Sequence, residues 1–114
     1  MEVRLVQLLA SFIEVSTDYA LARLEVALQH PEAPAPPVIP RPSEASEDAL
    51  REEWPAIESQ LEAARAFVKH LDGKNGKHSR KDQTYGWLRR TVKELDQYAR
   101  AVRWVLTITE REEH

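Results

Sequence analysis

The sequence predicts an all-α chain. Three long helices are expected, with the second and third paired as an antiparallel coiled-coil-like hairpin. The first is joined to them by a proline-rich linker, and the whole forms an oligomeric helical bundle. Three observations carry this. Six of the seven prolines (Pro31, Pro34, Pro36, Pro37, Pro40 and Pro42) fall in one window. Residues 2–29 hold neither Pro nor Gly, and their apolar side chains recur at helical spacing. Beyond the prolines, two apolar seams with alternating steps of four and three flank a short basic stretch. A chain of 114 residues is the size of one domain, so residues 1–114 are read as a single helical domain.

The first helix is expected over about residues 2–29. One apolar row is Val6, Leu9, Ile13, Ala20, Leu24 and Ala27; a second is Leu5, Leu8, Phe12, Val15, Tyr19, Ala22 and Val26. Adjacent rows make a face wider than a surface helix usually carries, which calls for neighbours on two sides. The second row (Leu5, Leu8, Phe12, Val15, Tyr19 and Val26) is the candidate partner interface. Gln7, Ser11 and Glu14 interrupt the apolar character, so neither a signal segment nor a spanning helix is expected. A cytoplasmic protein without membrane contact follows as the expectation.

Residues 31–43 cannot sustain a helix at that proline density and read as an extended linker. At about 3.1 Å per residue it reaches roughly 40 Å, close to one helix length, so helix 1 could dock in either direction or on a second copy.

Helix 2, about residues 44–72, carries the seam Leu50, Trp54, Ile57, Leu61, Ala64, Val68 and Leu71. Ser43 or Ser46 suits its N-cap, with Glu44, Glu47 and Asp48 at the positive end of the dipole. Asp72-Gly73 closes it. Pro55 lies inside the seam, and the unbroken heptad favours a continuous, kinked helix. A basic loop, 73–83, leads to helix 3 at about 84–110, capped by Ser79 with Asp82 or by Thr84. Its seam is Leu88, Val92, Leu95, Ala99, Val102, Leu106 and Thr109, widened by Trp87, Thr91, Tyr98, Val105 and Ile108. Folding the hairpin about its loop brings Trp54 near Val102 or Trp104, and Trp87 near Leu71.

The formal net charge of −3 conceals an asymmetry. Residues 1–66 hold five Lys/Arg against twelve Asp/Glu, and residues 67–114 hold eleven against seven. Lys74, Lys77, His78, Arg80 and Lys81 crowd the loop, and Arg89, Lys93, Arg100 and Arg103 continue along one side of helix 3. These nine are candidate nucleic-acid or anion contacts. The competing reading is internal neutralisation, with Glu47, Asp48, Glu52 and Glu53 facing Arg100 and Arg103 across the hairpin. A sequence pI near 5.8 weighs against a dedicated nucleic-acid binder.

Chemistry is sparse. With no cysteine, disulfides and thiolate metal sites are excluded. Three glycines leave no phosphate-binding loop. His30, His70, His78 and His114 form no metal-ligand spacing, and Glu58/Glu62 lie off the seam. No catalytic residue, cofactor, metal or small-molecule substrate is expected. One pattern stands apart: Arg65-Ala-Phe-Val-Lys-His70 has four residues between Arg and His, and Arg23 to His30 has six. These resemble the Arg-x4–6-His motif of the HEPN ribonucleases, small helical bundles that are often dimeric. Ala66 and Leu24 stand where that family prefers a polar residue. The resemblance implies an RNA-cleaving bundle with Arg65 and His70 as its pair.

Three functional readings follow in order. The first is a non-enzymatic protein–protein interaction module, self-associating or within a larger assembly. The second is a nucleic-acid-binding helical subunit using the basic surface of residues 69–103. The third is the HEPN-like ribonuclease.

Overall fold

In a computed structural model, which describes residues 2–74 and 83–113, the chain is all-helical. The helices are α1 (Val3–Gln29), α2 (Glu47–Lys74) and α3 (Gln83–Glu113). No strand occurs among the described residues. They form an elongated bundle about 50 Å long and 22 by 19 Å across.

Local chemistry explains the boundaries. α1 ends because Pro31 disfavours helical geometry at His30, whose N–H still donates to the Val26 carbonyl at 2.8 Å. Ser46 caps α2: its hydroxyl accepts from the Ala49 N–H at 3.2 Å, and Glu47 and Asp48 occupy the first turn. Ser43, the alternative cap, serves a different end, since its N–H donates to Glu53 Oε2 at 2.9 Å and its hydroxyl donates to Glu53 Oε1. α2 passes through Pro55 without a break and runs to Lys74, two residues beyond Asp72. Thr84 lies inside α3, so it is not the cap; Ser79 and Asp82 lie outside the described residues.

Both seams are buried as the periodicity requires. On α2, Leu50, Trp54, Ile57, Leu61, Ala64 and Leu71 are buried and Val68 is half-buried. On α3 every seam residue from Leu88 to Thr109 is buried. α3 is the shared spine, with α1 packed along it on one side and α2 on another. α1 and α2 make no close backbone approach among the described residues. They meet through side chains, with Phe12 and Trp54 ring centroids 5.2 Å apart and tilted by 56°.

The directions are fixed by contacts at the two ends. Arg4 sits over the Trp104 ring at 5.7 Å, and His30 stacks on Tyr85 at 4.8 Å. α1 therefore runs antiparallel to α3. α2 does too, because Arg51 reaches Thr109, Glu58 reaches Arg103 and Arg65 reaches Asp96. α1 and α2 are thus parallel, and the linker must return the full length of α1.

Two expectations are corrected. The hairpin register is shifted by about a turn: Trp54 lies level with Leu106 and Thr107, and Trp104 faces Arg4 and solvent. Seam packing and the ion pairs along the hairpin set this register, and folding about the loop's midpoint does not reproduce it. The linker, secondly, does not leave α1 free to choose a direction. Pro36 and Ile39 are buried, and the segment lies back along the helix. α1 thus finds part of its second neighbour within its own chain.

Candidate interaction surface

The two apolar rows of α1 have different fates. Leu5, Phe12, Val15, Tyr19 and Val26 are buried in the core, and Leu8 is half-buried against it. These were the candidate partner contacts, and they are occupied inside the chain. The row carrying both aromatic rings has the bulk to fill the space between α3 and Trp54. Of the other row Leu9 is buried in the core, while Val6, Ile13, Ala20, Leu24 and Ala27 face outward. Val3, Leu21 and Leu28 extend this face, so large aliphatic side chains are exposed along the whole helix, with Leu24 at 56% and Leu28 at 68%. Scattered apolar residues on a surface are ordinary, but an unbroken stripe on one helix is characteristic of an interface.

One edge of the stripe is the linker. Tyr19 Oη donates to the Pro37 carbonyl at 2.5 Å, and Arg23 Nε donates to the Pro36 carbonyl at 2.6 Å. Arg41 Nη2 donates to Thr17 Oγ1 at 2.8 Å. Pro has no N–H to give, so these segments present carbonyls, and α1 supplies two of the donors. Burial pushes the Tyr19 phenol up to about 12, with the Arg23 charge pulling weakly the other way. Towards the N-terminal end, Val6, Leu9, Ala10 and Ile13 face Pro42–Ala45 across an apolar groove of about 250 Å³. Glu14, Asp18 and Glu25, spaced by four and seven, mark the opposite edge.

The basic surface is more neutral than the residue count implied. Arg100 Nε pairs with Asp96 Oδ2 at 3.1 Å, and Arg103 with Glu58 at 3.3 Å. Arg65 shares Asp96 at 2.9 Å. These groups line an open groove of about 550 Å³ between α2 and α3, together with Glu62 and Pro55. Neutralisation across the hairpin is thus real, but with partners other than those expected. Glu47 and Asp48 pair with Arg51, and Glu53 is held by Ser43. The serine's two donors hold the Glu53 carboxyl below its ordinary range. Lys93 is exposed and Arg89 half-buried. Lys77, His78, Arg80 and Lys81 lie outside the described residues, as does the Lys74 side chain.

The two Arg–His pairs are placed apart. Arg65 is engaged with Asp96 while His70 is exposed; Arg23 is engaged with the linker while His30 stacks on Tyr85. No cluster of three potential metal ligands occurs among the described residues. Trp54 Nε1 is buried with no acceptor in reach among them, a cost of about 1–3 kcal/mol. α1 is long and apolar enough to cross a membrane, against the expectation drawn from its interrupting polar residues. Its mean hydropathy over an 18-residue window is 1.2, with 39% of that window buried in the bundle. A core helix passes the same measure.

Of the two rows of α1 the sequence offers the inner one as the partner surface, and it gives Arg41 no role; the structure fills that row within the chain. The available signal was the aromatic content of the inner row. Compared with known proteins, the chain matches no family model, no curated protein and no solved structure.

Proposed function

We propose that this chain is a helical protein–protein interaction module whose contact surface is the outer face of α1. One observation carries the reading: six large aliphatic side chains, from Val3 to Leu28, remain exposed on a helix whose other face already fills the core. Covering such a stripe removes apolar area from water at roughly 25 cal/mol per Å², and among the described residues the linker borders only its N-terminal half. The groove between α2 and α3 supports no competing reading as strongly, because its arginines are matched by carboxylates.

A photo-activated amino acid placed at position 24 tests this in cells. A discrete protein adduct is expected there and not at exposed Gln97 on α3. Equal or absent cross-linking at the two positions refutes the module.

A further inference from the structure

We infer that the occupant of the α1 outer face is a second copy of this chain, with the two α1 helices side by side, parallel and in register. This rests on the interaction reading above and adds the partner and its orientation.

The stripe has the period of a helix–helix seam. Val6, Ala10, Ile13, Thr17, Ala20 and Leu24, three of them stripe residues, are separated by four, three, four, three and four residues, and all are exposed, with the linker bordering Val6, Ala10 and Ile13 and Arg41 bonded to Thr17. A strict alternation of this kind keeps one line of a helix facing a similar helix over its length. Ala10, Thr17 and Ala20 are small, so two such backbones can approach closely. At 27 residues α1 is about 40 Å long and at most 10–12 Å across with its side chains, an upper bound of roughly 400–480 Å² of footprint. That is about half of the ~800 Å² per partner of a specific dimer, and the linker segment Pro42–Ala45 that borders the stripe adds to it.

Charge chooses both the partner and the direction. The linker edge carries a cation, Arg41, held at the level of Thr17. The other edge carries Glu14, Asp18 and Glu25. Two parallel helices related by a two-fold axis bring the unlike edges together, twice. Arg41 then lies level with Glu14 and Asp18 of the second copy. An antiparallel pair brings like edges together, with Glu14 against Asp18 and Arg41 against Arg41, which is repulsive on both sides. The surface therefore complements itself in one orientation.

The chain has no cysteine, so single cysteines report cleanly. Sedimentation equilibrium of the full chain is expected to give twice its 13.1 kDa. Val6→Cys and Leu24→Cys are each expected to form a homodisulfide on mild oxidation. Arg41→Glu should weaken the dimer roughly tenfold or more, and Asp18→Arg added to it should recover most of that loss. Both sites are exposed, and circular dichroism confirms that each variant keeps its helices. A monomer in solution alongside a position-24 adduct of another protein overturns the second copy but leaves the interaction face intact. Loss of that adduct overturns both. Disulfides forming only between position 6 and position 24 in a mixture of the two variants overturn the parallel arrangement, as does an Arg41→Glu dimer of unchanged affinity.

Discussion

Replacing Tyr19 by Phe tests the strap that ties the linker to α1, and alkaline pH reads it with a defined sign. The phenol is 2% exposed and donates to the Pro37 carbonyl. Its pKa rises from 10.0 to about 12. Below pH 10 the group is protonated in both folded and unfolded chains, and its contribution is complete. Between about pH 10 and 12 the unfolded chain releases the proton while the folded chain keeps it, so stability falls. Two pKa units at about 1.36 kcal/mol each set an upper bound of about 2.7 kcal/mol for the loss. Tyr19→Phe keeps the ring but removes the donor, at a cost of about 1 kcal/mol at neutral pH. Wild type is thus expected to exceed the variant by about 1 kcal/mol at pH 8 and to fall below it by about 1 kcal/mol near pH 12. Urea unfolding followed by circular dichroism across that range measures both, and titration of the other tyrosines and lysines cancels in the difference. A gap that stays constant with pH refutes the argument.

Three further outcomes are expected. Phe12→Ala opens a cavity against Trp54 and should cost about 3–5 kcal/mol, lowering the thermal midpoint steeply and shifting tryptophan emission. Gly86→Ala should raise stability by about 0.5–1 kcal/mol, since a Cβ there meets nothing within 4 Å, and the thermal midpoint reports it. In an NMR titration the Glu53 carboxyl should ionise below the ordinary glutamate range, and Ser43→Ala should raise it. A depressed folded-state pKa means the bond stabilises the fold above the ordinary glutamate value and is lost as pH falls through the lower one.

The helices and their buried seams were legible because period, proline and glycine act locally. Leu50 to Leu71 and Leu88 to Thr109 each carry a heptad that only a buried helix face explains. Register and direction were not legible, because they depend on groups far apart in sequence. Arg65–Asp96 and Arg103–Glu58 mark the hairpin register that seam packing sets, while Arg4–Trp104 and His30–Tyr85 mark the sense of α1. The linker was misjudged for the same reason. Proline content forecasts an extended segment, but Tyr19 and Arg23, from a different element, decide what its carbonyls bind. The candidate surface was half legible: two apolar rows were evident, and choosing between them required knowing which one the neighbouring helices fill.

The antiparallel pairing of α1 with α3 has a mechanical consequence. It sets residue 4 beside residue 104, so the two ends of the described chain leave the bundle from the same end. A pulling force applied between them acts across the α1–α3 seam rather than along it. Leu5 and Val105 would be among the first buried residues parted, and contacts would then open a few at a time, as in a zip, instead of all sharing the load. By contrast, a force applied between residues 4 and 74 pulls on the far ends of two parallel helices and loads their shared contacts with α3 in shear. One molecule thus has a weak and a strong axis, set by where it is held.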